Sequence, residues 1–184
     1  LGIPFRATTA TAAASKLVVE CYHDVCCPFS RKMFETLFSG DKPLASKQAA
    51  VEFRWHPVPQ PWHPQSAIMT ESALAVHQAE PDKLWPYLVS LYAQQESFFD
   101  DKVQHLSRDA LYSMCARVAS DVGVDGAGFK KQLALEGEGN CGNRVTQAMK
   151  FYCKEHRKRG VHVTPTVFVN GMEAPQASSG WGAA

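Results

Sequence analysis

Residues 16–30, KLVVECYHDVCCPFS, contain the pattern that decides the fold. The segment Lys16–Tyr22 is almost continuously apolar and rich in β-branched residues, which predicts a central buried strand. A polar turn interrupts it, and the following RKMFETLF places its apolar side chains at helical spacing. Pro28 suits the first turn of that helix, because a backbone N–H at this position has no partner within the helix. The sequence therefore places Cys26 and Cys27 where a buried strand turns into a helix.

The rest of the chain continues this order of elements. Val51–His56 (VEFRWH) alternates and predicts a second strand, and the four prolines of residues 57–64 exclude regular structure there. Helical periodicity then extends over about 66–159, where Ser107 is placed to cap one of the helices. Thr166–Asn170 (TVFVN) predicts a strand, the Asn-Gly that follows predicts a hairpin turn, and MEAPQA predicts the return strand.

This order predicts an α/β domain. Strand, helix and strand give a parallel pair, the hairpin adds antiparallel strands, and the helical block is an insertion at about 66–159 that depends on the same sheet. The length of 184 residues fits a single domain over 16–184. Five apolar residues should share one sheet: Val18, Val19, Phe53, Val167 and Val169.

The two ends of the chain give weaker patterns. Residues 1–15 contain Arg6, no acidic residue and a Thr/Ala tract, which predicts a flexible arm or the remnant of an organellar targeting segment. The final SSGWGAA resembles a helix start, so we expect a C-terminal helix to be missing.

Composition excludes several classes of function. With 19 basic and 18 acidic residues, the chain has no global charge to attract nucleic acid or an anionic membrane. No run of 18 apolar residues occurs, which predicts no membrane span. The six cysteines form neither a dense disulfide framework nor paired C-x-x-C ligands, so we expect mostly reduced thiols and no metal site. An organelle (mitochondrion or chloroplast) or the cytoplasm is favoured over secretion.

Two segments carry candidate chemistry. A thiol at the start of a helix faces unpaired N–H groups and the positive end of the dipole, which favour thiolate, so Cys27 is the candidate nucleophile. Ser30 lies one helical turn further on the same face. In residues 160–166 (GVHVTPT), a proline enters a strand, which indicates an edge or a special turn, a cis bond before Pro165 being one alternative. A cis bond would leave the Thr164 backbone free to pair with an extended peptide.

These motifs together resemble the DsbA-like branch of the thioredoxin superfamily. The resemblance extends over roughly residues 16–181 and consists of D-x-x-C-P-F-S at a helix start, a long helical insertion and G-V-x-x-T-P-T-x-F-V-N-G. It implies a thioredoxin-like fold, thiol–disulfide oxidoreductase activity on thiol or disulfide protein substrates, and no tightly bound cofactor. It also implies two active-site positions, Cys27 and Ser30, and four substrate-binding residues: Pro28, Phe29, Thr164 and Pro165.

One position departs from that family. A typical member has a second cysteine where this chain has Ser30, and a serine cannot resolve a mixed disulfide. Three alternatives follow. Cys27 acts as a monothiol with glutathione as co-substrate, or Cys26 or Cys21 substitutes, or the fold serves as a non-catalytic subunit or peptide-binding module of a larger assembly. Cys26 is a poor substitute, because a bridge between adjacent residues closes a strained ring.

The same stretch also resembles the kappa-class glutathione transferases, which have D-x-x-S-P-Y-S at this place. In that interpretation Cys27 or Ser30 would hold the sulfur of glutathione, and Thr164 would bind its peptide backbone.

Several neighbouring residues have structural interpretations that we favour over functional ones. Asp24 should cap the helix that begins near Cys27. His23 and His162 should be at least partly exposed residues rather than groups that tune the thiol. Trp62, between prolines, should anchor a structural loop rather than form a wall of a substrate groove.

Overall fold

The computed structural model describes residues 2–5, 17–39 and 51–180. The strands in these ranges are β1 (Ile3–Pro4), β2 (Leu17–His23), β3 (Val51–Pro57), β4 (Thr166–Val169) and β5 (Met172–Glu173). The α-helices are α1 (Pro28–Phe38), α2 (Ser66–Ala79), α3 (Leu84–Ala93), α4 (Asp100–Val103), α5 (Arg108–Asp121), α6 (Gly126–Leu133) and α7 (Thr146–Lys158). Two 3₁₀ turns, Pro81–Lys83 and Gln95–Phe98, flank α3.

The strands form one mixed sheet in the order β1-β3-β2-β4-β5. β2 pairs in parallel with β3, whereas the pairs β1·β3, β2·β4 and β4·β5 are antiparallel. Val19 in the central strand pairs with Phe53 on one side and with Val169 on the other. The predicted sheet is therefore confirmed, and the helices α2 to α7 lie between β3 and β4 as the predicted insertion.

Helices cover both faces of this sheet. On one face α1 buries Phe34 and Phe38, and the Phe34 ring stacks on Tyr92 of α3 at a centroid distance of 4.4 Å. On the other face the Tyr152 ring of α7 lies 6.4 Å from the ring of His56. The loop from β2 to α1 thus emerges from the centre of the sheet, where the strand before it and the helix after it are both held by the core.

A buried ion pair ties α7 to the second face. The Glu20 carboxylate on β2 lies 2.9 Å from Nη1 of Arg159 and 3.3 Å from Nε2 of His56. Burial lowers the pKa of His56 to about 3, so this imidazole is neutral at physiological pH. Arg159 is therefore the charged partner in this contact, which fixes the end of α7 against the sheet.

Some elements differ from the prediction. Residues 2–5, placed in the flexible arm, include β1, whose Ile3 is buried and pairs with Trp55. Pro57, expected outside regular structure, is the last residue of β3. The return strand of the hairpin is only Met172–Glu173, because Pro175 has no N–H to continue the ladder.

The predicted ends of the chain fall largely outside the described residues. Residues 6–15 of the predicted arm and 181–184 of the expected terminal helix lie there, and residues 179–180 form a turn. In the ranges that the structure does describe, no helix has the length and hydropathy needed to cross a membrane.

Candidate functional site

Cys27 is the residue on which α1 begins. It occupies the N-cap position with extended backbone (φ −76°, ψ 123°), and Pro28 follows as the first helical residue. The Cys27 Sγ lies 3.4 Å from the carbonyl oxygen of Thr164, to which its S–H donates. The peptide bond between Thr164 and Pro165 is cis, as the sequence suggested. The structure thus brings together three of the predicted site residues, Cys27, Thr164 and Pro165. Cys27 and Thr164 lie 137 positions apart in the chain.

Hydrogen bonds to backbone atoms hold residues 24–27, the cysteine loop, in place. The Cys27 N–H donates to the Asp24 carbonyl at 3.1 Å. The buried Gln95 amide donates to the carbonyl oxygens of Val25 at 2.9 Å and Cys27 at 3.1 Å. The Cys27 side chain accepts no capping bond from the first turn of α1, so the helix acts on the sulfur only through its dipole. The residue is 5% exposed.

Ser30 lies on the same turn but does not contact the sulfur through a hydrogen bond. Its side chain is fully buried, and its Oγ accepts a hydrogen bond from the Asp24 N–H at 3.2 Å. Among the described residues Ser30 and Cys27 share no hydrogen bond. In the resting structure Ser30 therefore stabilises the loop rather than the thiol.

Asp24 is the centre of a buried polar cluster, and the expectation that it caps α1 is wrong. Its carboxylate accepts hydrogen bonds from the Cys26 N–H at 2.9 Å and the Gln60 N–H at 3.4 Å. Its Oδ1 also accepts from the Ser66 hydroxyl, and its Oδ2 lies 2.6 Å from Nδ1 of His63. The carboxylate is oriented by these donors from the 60–66 segment, so it joins that segment to the cysteine loop instead of turning towards α1.

Cys26 and Cys21 do not offer a second reactive thiol. Cys26 is 1% exposed, its Sγ accepts a hydrogen bond from the Gln65 amide at 3.1 Å, and burial together with the Asp24 charge raises its pKa to about 12. Cys21 is fully buried within β2, and burial raises its pKa to about 12 as well. Both sulfurs are protonated at physiological pH and almost completely buried.

The expectation for His23 is also wrong. The strand β2 continues to this residue, so the side chain is fully buried, with its ring centroid 6.3 Å from that of Phe34. Neither ring nitrogen has a hydrogen-bond partner among the described residues, and burial lowers the pKa to about 3. His162, in contrast, is exposed as expected, and its carbonyl accepts a bond from the Gln60 side chain at 3.3 Å.

Three exposed apolar side chains belong to the segments that form the site. Phe29 is 63% exposed and Val163 is 62% exposed, and each is close in sequence to Cys27 or Thr164. Trp62 is 57% exposed, so the interpretation of this residue as a loop anchor is wrong. Val58 and Gln60 are buried in that segment, whereas the indole is available as one wall of a groove.

A cavity of about 390 Å³ opens beside the start of α1. Its lining consists of Cys26, Pro28, His63, Gln65, Phe99, Asp100 and Asp101. Within the described ranges no group of three or more His, Cys, Asp or Glu side chains is placed to hold a metal ion. The partners of Asp24 could not be found in the sequence, because nothing local marks His63, Gln60 or Ser66 as neighbours of that loop.

Comparison with known proteins decides the family. A family model described as "Thioredoxin" matches residues 10–184, nearly the whole chain. The chain belongs to the thioredoxin family. No curated protein matches it significantly.

Solved structures share the fold of this chain. A candidate protein-disulfide isomerase from Pseudomonas syringae is 24% identical, with 89% of this chain and 87% of that chain covered and a TM-score of 0.69. The MdbA thiol-disulfide oxidoreductase from Corynebacterium diphtheriae is 19% identical, with 95% and 84% covered and a TM-score of 0.66. BdbD from Bacillus subtilis is 15% identical, with 95% and 84% covered and a TM-score of 0.64. The thioredoxin-like fold with its helical insertion is confirmed.

Proposed function

We propose that this thioredoxin-family protein is a thiol–disulfide oxidoreductase in which Cys27 is the sole nucleophile. A low-molecular-weight thiol of the glutathione type takes the part of the second cysteine. The observation that supports this is the position of the Cys27 sulfur, which begins α1 and faces the Thr164 carbonyl, while the second motif position is the buried Ser30.

The reaction has two exchange steps. The Cys27 thiolate attacks one sulfur of a substrate disulfide, forms a mixed disulfide and releases the other sulfur as a thiolate, which takes up a proton. An external thiolate then attacks the mixed disulfide and releases Cys27. The electron pair of the substrate S–S bond ends on the released substrate thiol. The external thiol forms a new disulfide with the other substrate sulfur.

The neighbouring surface favours extended, apolar polypeptide as the substrate. Phe29 lies two residues after Cys27 and Val163 precedes Thr164, and both side chains are exposed, as is Trp62 beside His63. Burial of each such side chain contributes about 1.5–3 kcal/mol. Thr164, next to the cis Pro165, offers its backbone beside Cys27, and such backbone groups recognise an extended chain by main-chain hydrogen bonding.

Replacement of the adjacent cysteines tests the proposal. The wild type and Cys26→Ser should form a mixed disulfide on exposure to glutathione disulfide and should reduce a small disulfide in the presence of reduced glutathione, whereas Cys27→Ser should do neither. Peptide mass mapping locates the adduct. An unmodified Cys27 and no disulfide turnover in the wild type would leave the non-catalytic interpretation, a binding module or subunit.

The same preparations separate the glutathione transferase alternative. If the wild type conjugates glutathione to a chlorodinitrobenzene electrophile as a thioether but reduces no disulfide, the protein is a kappa-like transferase. Disulfide turnover that depends on Cys27, with no thioether product, supports the oxidoreductase.

A further inference from the structure

His63 is an imidazole held by a buried carboxylate at the edge of the cavity beside α1. Its Nδ1 lies 2.6 Å from Oδ2 of Asp24, a side chain with no exposure to solvent. The imidazole itself is 22% exposed and lines the cavity with Pro28, the residue after Cys27. A fixed, accessible imidazole that shares a cavity with the residue following the nucleophile is a group that can move a proton.

The hydrogen bond to Asp24 sets the tautomer. An aspartate carboxylate only accepts hydrogen bonds, so Nδ1 is the protonated nitrogen of the neutral ring and Nε2 carries the lone pair. Nε2 has no hydrogen bond within the described part of the chain. Asp24 is itself fixed by the Cys26 N–H, the Gln60 N–H and the Ser66 hydroxyl, so the orientation of the ring does not depend on one contact.

The cavity is placed to admit a small thiol. Its volume of about 390 Å³ falls at the lower end of ligand cavities, which span roughly 300–1,000 Å³. On the other side of the motif, Gln60 donates to the His162 carbonyl at 3.3 Å, so the segment that carries His63 also contacts the Thr164 strand entry. The segment that carries His63 therefore connects the wall of the cavity with the strand entry that the Cys27 sulfur contacts.

We propose that His63 is the proton-transfer residue for the external thiol. This inference rests on the proposed function, in which Ser30 leaves resolution of the mixed disulfide to a thiol from solution. As the sulfur of that thiol attacks the substrate sulfur of the mixed disulfide, Nε2 accepts its proton. The Cys27–substrate S–S bond breaks, a new disulfide joins the external thiol to the substrate sulfur, and Cys27 leaves as thiolate. His63 returns the proton to Cys27 or to water.

The charges around His63 support the transfer. The groups that face it are Asp24 from the cysteine loop, Cys26, and Asp100 and Asp101 from α4. Burial and the Asp24 charge raise the pKa of Cys26 to about 12, so this group stays neutral. The Asp24 carboxylate, which is bonded to Nδ1, balances the positive charge that forms on the ring during transfer, whereas Asp101 is paired with Lys102 at 2.6 Å.

The test measures the resolution step alone. The mixed disulfide of Cys27 with β-mercaptoethanol is prepared and then mixed with excess β-mercaptoethanol at pH 6.5, and acid-quenched samples are followed by mass spectrometry. An uncharged thiol is used so that Asp100 and Asp101 do not affect its approach. The variant is His63→Asn, whose side-chain amide keeps a donor for Asp24, and the matched control is the exposed His105→Asn.

We expect His63→Asn to resolve the adduct at least about tenfold more slowly, below the usual ~10²–10⁴-fold of general base catalysis because a thiol also ionises unaided. The difference should narrow as the pH approaches the ionisation of the thiol itself. Alkylation of free Cys27 by iodoacetamide, which involves no external thiol, should change little, and free imidazole should restore part of the rate in His63→Ala.

Each other outcome has one meaning. If wild-type adduct is not resolved by added thiol at any pH, the proposed function fails. If wild type and His63→Asn resolve it at equal rates, and imidazole does not accelerate His63→Ala, the role of His63 is refuted while the proposed function stands.

Discussion

Cys26 and Cys27 are adjacent in sequence, and the cysteine loop presents them to opposite environments. Cys26 faces the buried side, where Gln65 and Asp24 lie, and its pKa is raised to about 12. Cys27 faces the reactive side, where its thiol meets Thr164 beside exposed apolar residues. Both side chains are almost equally covered, at 1% and 5% exposure. The comparison teaches that neighbours, and not exposure, distinguish the two sulfurs.

The largest effect is expected from removing the Asp24 carboxylate, which accepts the hydrogen bonds that join the cysteine loop to residues 60–66. Asp24→Ala leaves the Cys26 N–H and the groups of His63 and Ser66 without their acceptor, each such loss costing about 1–3 kcal/mol. We expect the free energy of unfolding to fall by about 3–4 kcal/mol in urea titrations. The control is Glu35→Ala, which removes only a solvent-exposed ion pair with Arg31 and should cost at most about 1 kcal/mol. Equal losses in the two variants would show that the Asp24 cluster does not hold the loop.

The second prediction measures the difference between the sulfurs directly. In the folded protein at pH 7–8 iodoacetamide should alkylate Cys27 at least about a hundredfold faster than Cys26, because a thiol with a pKa of about 12 has almost no thiolate there. Timed quenching and peptide mass mapping give both rates. In denaturant the two rates should converge. Similar rates in the folded protein would remove the basis of the comparison.

The third prediction concerns His23 on the buried side. Its pKa is about 3 in the folded protein and about 6.5 in an unfolded chain, so below pH 6.5 only the unfolded state takes up the proton. Stability is therefore full above pH 6.5 and falls as the pH decreases towards 3. The loss is about 1.4 kcal/mol per pH unit, or about 2 kcal/mol between pH 6.5 and 5. His56, with its pKa also lowered to about 3, adds a similar loss.

Urea titrations between pH 5 and 8 check this slope. His23→Leu should reduce the slope of the unfolding free energy against pH by the contribution of one proton, about 1.4 kcal/mol per pH unit. The exposed His105→Gln should leave that slope unchanged. An unchanged slope in His23→Leu would mean that the imidazole is protonated in the folded protein.

Local patterns were sufficient for most of the fold. The apolar run predicted β2 to within one residue at each end, and periodicity placed the helical block that the structure shows from Ser66 to Lys158. Ser107 caps α5 as predicted, since its Oγ accepts from the Ala110 N–H at 3.2 Å. β1 was missed because a strand of two residues has no periodicity to detect.

The site was predictable only where a motif marks it. Cys27 and the Thr164–Pro165 pair were found from their positions at a helix start and a strand entry. The roles of Asp24, His23 and Trp62 were misjudged, because each depends on which distant segment packs against the loop. Local propensity favours an Asp before a helix as a cap, and here long-range donors from the 60–66 segment offset that preference.

The smallest effect on stability, and the sharpest test of the geometry, is expected from restoring a second thiol. Residues 27 and 30 lie one turn apart on one side of α1, a separation suited to a disulfide of ordinary geometry. Ser30→Cys replaces the hydroxyl that accepts from the Asp24 N–H, so we expect a loss of about 1 kcal/mol in the reduced form. Under mild oxidant the variant should lose two titratable thiols and gain dithiol activity in an insulin reduction assay.

Further variants decide what that gain means. Cys27→Ser should abolish thiol activity both in the wild type and beside Ser30→Cys, since position 30 is buried and cannot meet a substrate by itself. With glutathione disulfide and no free thiol present, the wild type should instead accumulate mixed disulfides with glutathione, because nothing within the loop resolves them. If Ser30→Cys is folded but forms no internal bridge, residues 27 and 30 do not face each other in solution. The reactive side would then lack the geometry proposed for it, and the protein would be a thioredoxin-like scaffold whose two adjacent cysteines are both structural.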